Sequence, residues 1–210
     1  MGLKEGVVTR ERYLRGWTWE EFLQHAKYNV DEHRQIYDEI EISEQDRADF
    51  AKLVEQHGGE VYVLVLSESW CGDSLQNTPL MAKLCASVPG MHFRYFQSEV
   101  WENFDMTQNW PKPPRNPIPI MVFFDRDFRE IGFWIERSKA ADELRERLRE
   151  QYKDLPRPEQ MRYIRPALAE AYRSGELRRA TLDEWKQVLS GRPLEHYPPL
   201  EPVASEPVIR

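Results

Sequence analysis

Cysteine is almost missing from this chain: Cys71 and Cys85 are the two among 210 residues. Two thiols cannot build the disulfide framework of a small secreted domain, so a reducing, cytoplasmic setting is the expectation. The opening Met1-Gly2-Leu3-Lys4-Glu5-Gly6 has none of the apolar core of a secretory signal. Long apolar runs are missing as well. None approaches the ~20 residues that cross a bilayer, and no membrane partner is expected. Basic charge is not in excess: 29 Lys and Arg against 36 Asp and Glu leave a net charge of -7. That balance argues against a general affinity for nucleic acid. There is no glycine-rich phosphate loop. The five histidines are scattered, without the cysteine or carboxylate spacing of a closed metal site, so no metal is expected.

What is present suffices for a core. Apolar residues make up 40% of the chain and aromatic ones 12%, with seven Trp. The length fits one domain with extensions. Thr18-Trp19-Glu20-Glu21 is a capping-box pattern that opens a helix to about Tyr28, and a second stretch covers Asp31 to Asp38. Ser43 opens a helix with Phe50, Leu53 and Val54 on one face, ended by Gly58-Gly59. Glu60 to Leu66 is a short branched apolar run, predicting a buried parallel strand. A helix from about Asp73 to Ser87 contains Pro79. Met91 to Gln97 alternates as a second strand, followed by a short helix from Trp101 to Asn109. Pro111 to Pro117 is a loop, in which Arg115 reads as a solvated charge. Ile120 to Phe124 and Phe128 to Ile135 read as an antiparallel hairpin across Asp125-Arg126-Asp127. Ser138 caps a charged helix to about Tyr152. Glu159 to Tyr172 predicts another helix, Thr181 caps a last one, and a proline-rich tail follows Gly191. This order predicts an α/β fold, a mixed sheet flanked by helices.

The apolar run passes directly into Ser67-Glu68-Ser69-Trp70-Cys71-Gly72-Asp73-Ser74. This motif after the first strand, with Ile118-Pro119 before the hairpin, resembles the thioredoxin-like superfamily. More narrowly it resembles a bacterial thioredoxin-family group with a Trp-Cys-Gly-Asp motif, over about Ser43 to Tyr152. The resemblance implies that Cys71 matches the family nucleophile and that Ser74 stands where the resolving cysteine would be. It also implies that Pro119 is the cis-proline and Pro79 the proline of the active-site helix. Monothiol glutaredoxins, with a Cys-Gly-Phe-Ser motif, are similar at Cys71, Gly72 and Ser74 and depart at Asp73. They bind glutathione and iron–sulfur clusters.

A cysteine where a strand meets a helix N-terminus faces unpaired N–H groups that favour the thiolate and lower its pKa. The negative charge of Asp73 opposes ionisation, as would Glu68 if it turned inward, while the Ser74 hydroxyl is expected to donate to the thiolate. Cys85 lies ~20 Å further along a straight helix, too far to resolve a mixed disulfide, and reads as a packed hydrophobe.

The resulting expectation is a thioredoxin-like fold with a helical extension over 1–42, a core domain over 43–155 and a helical extension with a tail over 156–210. Cys71, Ser74 and Pro119 form the catalytic set. Trp70, Gly72, Asp73 and Ile118 form the substrate-binding set. The function is monothiol thiol–disulfide exchange on protein or small disulfides, with no bound cofactor and an external low-molecular-weight thiol as resolver. The alternative is an inactive thioredoxin fold used as a protein-binding or adaptor module. A cluster bridged between two chains through Cys71 and the oligomeric state both stay open.

Overall fold

The computed structural model describes residues 7–110 and 117–196. The loop at 111–116 with Arg115, and the tail from residue 197, lie outside the described residues. Before the sheet come α1 (Arg10–Tyr13), α2 (Trp19–His25), α3 (Val30–Glu39) and α4 (Glu44–Gln56). Then follow β1 (Val61–Ser67), α5 (Gly72–Ser87), β2 (Met91–Gln97) and α6 (Phe104–Asn109). The hairpin β3 (Ile120–Phe124) and β4 (Glu130–Ile135) precedes α7 (Lys139–Gln151), α8 (Arg157–Arg173) and α9 (Glu176–Leu189).

The sheet order is β2-β1-β3-β4, with β1 parallel to β2 and antiparallel to β3. The unbroken apolar run of β1 follows from this central place. Val61, Val63 and Val65 face one helical layer, while Tyr62, Leu64 and Leu66 face another, and all seven residues of the strand are buried. The first layer joins Trp19, Phe22, Phe50 and Leu84 to Trp185 and Leu189, so helices from both ends of the chain share one core with the sheet. On the other face Tyr13, Met106 and Trp110 cover the strands. Gly16 lets the N-terminal segment lie against β2, because a Cβ there would sit 2.4 Å from the ring of Phe96. Trp17 then pairs with Tyr95 through two backbone hydrogen bonds of 2.9 and 2.8 Å, and so covers part of that sheet edge.

Local signals placed most boundaries. The Thr18 and Glu21 box is formed in both directions, and Ser43 and Ser138 cap their helices. Three expectations move. Helix α2 stops at His25 rather than near Tyr28. Strand β4 begins at Glu130, not Phe128, because Phe128 adopts a left-handed backbone (φ 63°) and stacks on Phe124. The Asp125 carboxylate closes that turn by accepting from the N–H groups of Asp127 and Arg129. Thr181 caps nothing: it is buried inside α9, which starts after Gly175. The stripe Leu177, Leu182, Trp185, Val188 and Leu189 runs through it, and burial of that stripe sustains one helix across the threonine.

Candidate functional site

β1 ends at Ser67, and residues 68–71 turn the chain into α5, whose N-cap is Cys71 in an extended conformation. The turn is held from behind by α3 and the two residues that lead into it. The backbone N–H of Tyr28 donates to Ser69 Oγ (3.2 Å), and Asn29 Nδ2 donates to the Ser69 carbonyl (3.0 Å). His33 Nε2 lies 3.4 Å from the same carbonyl. His33 is fully buried against the edge of Phe22, and burial lowers its pKa to about 4, so the ring is neutral near pH 7. Glu68 is buried too, but turned away toward the 98–99 segment. It accepts from Ser98 Oγ (3.2 Å) and the Glu99 N–H (2.7 Å). Burial raises its pKa, while these donors hold it down.

Across from the turn, the Ile118–Pro119 peptide bond is cis. The Cys71 thiol donates to the Ile118 carbonyl at 3.4 Å, and the Pro119 carbonyl accepts from the Glu136 N–H at 2.7 Å. Chain segments 47 residues apart thus meet at one sulfur atom.

The expected lowering of the Cys71 pKa is not what the structure gives. Cys71 is 8% exposed, and burial pushes its thiol above the ordinary value. The backbone N–H groups of Ser74 and Asp73 do favour the thiolate, as a helix N-terminus should, and Arg137 helps. The charge of Asp73 opposes them, and desolvation outweighs the rest. The Ser74 hydroxyl also departs from expectation. It pairs with Thr78 Oγ1 at 2.9 Å inside α5, so residue 74 reaches the sulfur with its backbone, not its side chain.

Asp73 is not a free carboxylate. Arg137 donates to it twice, from Nε to Oδ1 (2.9 Å) and from Nη2 to Oδ2 (2.5 Å). Arg137 is nearly inaccessible and also holds Glu136 and Asp142. Burial alone would lower its pKa, but these carboxylates, Asp73 foremost, raise it. Sequence reasoning missed Arg137, Arg145 and His33. No motif marks them, because each reaches the turn from an element distant in the chain.

The fold gathers Cys71, Gly72, Asp73, Ile118 and Pro119 at one point. Trp70, half-exposed, and Gly72 also line a cavity of about 420 Å³ between the start of α5 and helices α7 and α8. Of the other tryptophans, Trp134 is core and Trp101 stands at the surface, stacked on Phe104. Cys85 lies 3.8 Å from Met81 Sδ, buried, and desolvation drives its pKa far up. Both cysteines are free. Among the described residues no three His, Cys, Asp or Glu side chains gather as a metal would require. Nor is any described helix long and apolar enough to cross a membrane.

A family model described as thioredoxin matches residues 16–153. No curated protein matches the chain. Among solved structures, the chain is similar to a protein of unknown function from Pseudomonas aeruginosa, with a TM-score of 0.59 at 15% identity. That match covers 88% of this chain and 98% of the other. An HIV epitope-scaffold aligns with a TM-score of 0.60 at 15% identity, over 87% and 98% of the two chains. At these identities the likeness is one of fold.

Proposed function

The chain belongs to the thioredoxin family, and on that premise we propose that it carries out monothiol thiol–disulfide exchange through Cys71. One observation carries the reading: the Cys71 sulfur sits at the N-cap of α5, facing the Ile118 carbonyl before the cis-proline, with two backbone N–H groups favouring its thiolate. The thiol loses its proton to solvent and attacks one sulfur of a disulfide. The substrate S–S bond breaks and a Cys71–S bond forms, while the departing half takes a proton and leaves as a thiol. Cys71 is thereby oxidised and the departing half reduced. With no cysteine at residue 74, and Cys85 near the opposite end of α5, an external low-molecular-weight thiol attacks the mixed disulfide and restores Cys71. Such a cycle belongs to a reducing compartment and needs no bound cofactor.

The raised pKa of Cys71 favours a second reading, in which the fold is a binding or adaptor module and the thiol does not turn over. Intact-mass analysis separates the two. The folded protein is incubated with hydroxyethyl disulfide, and a Cys71→Ser variant serves as control. An adduct on Cys71 that forms in the folded state and is released by added glutathione supports exchange. An adduct that appears only after unfolding rejects exchange and leaves the module.

A further inference from the structure

The cavity beside Trp70 has a charge pattern that the exchange reading does not use. Its walls come from the first turn of α5, from α7, and from one face of α8. Trp70, Leu75, Met161 and Leu168 give it apolar walls, and Arg145 and Arg165 are its cations. Asp73 also lines it, but both oxygens of that carboxylate already accept from Arg137. Arg145 reaches Asp73 only at 3.8 Å, through Nη1. Its side chain is 14% exposed, and its Nε is buried without an acceptor. Arg165 stands exposed at the rim with no carboxylate partner among the described residues. Among the described residues neither guanidinium has a close acceptor, and an anion placed between the two would gain charge-assisted hydrogen bonds from both. The fork of an arginine suits a carboxylate in particular. A volume of about 420 Å³ fits a small molecule rather than a folded protein. The chain carries a net charge of -7, so a local preference for anions would run against its overall field.

We propose that this groove seats the carboxylate-bearing half of a low-molecular-weight disulfide, with the carboxylate on Arg145 and Arg165 and the adjoining sulfur presented to Cys71. The proposal rests on the exchange reading. It adds the substrate class and assigns α8 a part in recognition. Attack by Cys71 breaks the S–S bond, keeps the seated half as a mixed disulfide, and releases the other half as a thiol after it takes up a proton. A second low-molecular-weight thiol then frees the seated half.

Three disulfides of matched length test it: dithiodipropionate (anionic), hydroxyethyl disulfide (neutral) and cystamine (cationic). The rate of Cys71 adduct formation is read by intact mass and divided by the rate of each reagent with free mercaptoethanol. Dithiodipropionate should be several-fold faster than the neutral reagent, and cystamine slowest. Arg165→Glu should reverse that order. Arg162→Gln, an exposed α8 arginine that does not line the cavity, should leave it unchanged. The advantage should shrink as salt is added. Equal normalised rates, or an order that survives Arg165→Glu, would overturn the groove assignment and leave exchange standing. If none of the three forms an adduct on folded protein, exchange fails and the substrate assignment falls with it.

Discussion

Arg137 grips Asp73 with two hydrogen bonds, 2.9 Å from Nε and 2.5 Å from Nη2, and so ties the end of β4 to the residue two places after Cys71. The same guanidinium also holds Glu136 and Asp142. One buried cation therefore gathers three carboxylates, and removing it takes away the charge they share. Arg137→Leu should cost roughly 3–5 kcal/mol, the range for breaking a buried pair by deleting one partner. Urea denaturation measures it, and a loss below about 1 kcal/mol would mean that water reaches the cluster.

Asp73 raises the Cys71 pKa through its charge, and Asp73→Asn removes that charge while Glu136 and Asp142 still hold Arg137. The thiol pKa should fall, so Cys71 alkylation near pH 7 should speed up. An unchanged pH profile for iodoacetamide labelling would show that the ion pair already cancels the field at the sulfur.

In the wild-type chain the two cysteines should separate cleanly. Cys71 should label slowly near neutral pH and faster as pH rises past the ordinary thiol value, because burial raises its pKa without closing it off. Cys85, buried to a similar extent but with its pKa driven much further up, should label far more slowly than Cys71 across this range. Peptide mass mapping across pH reads both sites, and equal labelling of the folded protein would refute this arrangement.

His33 links stability to pH. Its folded pKa is about 4, against an ordinary 6.5, so the unfolded chain takes up the proton first as pH falls. Its contribution is therefore fully present above about pH 6.5 and is lost as pH falls toward 4. It amounts to about 3 kcal/mol for a shift of this size. His33→Gln keeps a donor for the Ser69 carbonyl but cannot titrate. The drop in urea midpoint between pH 7 and pH 4 should be smaller in that variant, and an identical drop would exclude His33 as a source.

Trp185 is fully inaccessible and meets Trp134 edge-on, with ring centroids 5.7 Å apart. Trp185→Ala should cost about 3–5 kcal/mol, as for other large aromatic truncations in a core. That loss would mark α9 as part of the folding unit. A variant as stable as the wild type by thermal unfolding would make α9 dispensable.

Much of the fold was legible because its signals are local. The capping residues Thr18, Ser43 and Ser138, the branched run of β1 and the alternation of β2 are written in neighbouring residues. So was the place of Cys71 at a strand-to-helix junction. Phe128 and Thr181 misled for a shared reason. Each has a local preference, and each was overruled by packing, Phe128 onto Phe124 and Thr181 within the buried stripe of α9.

By itself the amino-acid sequence determined the element order, the mixed sheet and the placing of Cys71 ahead of a helix, since these follow from periodicity and caps a few residues apart. Tertiary structure alone decided the state of the site. The burial that raises the Cys71 pKa, the Arg137 that binds Asp73 and the cations of the α8 groove depend on contacts between distant segments. Desolvation and charge pairing act through space, and no local spacing encodes the distances that set them.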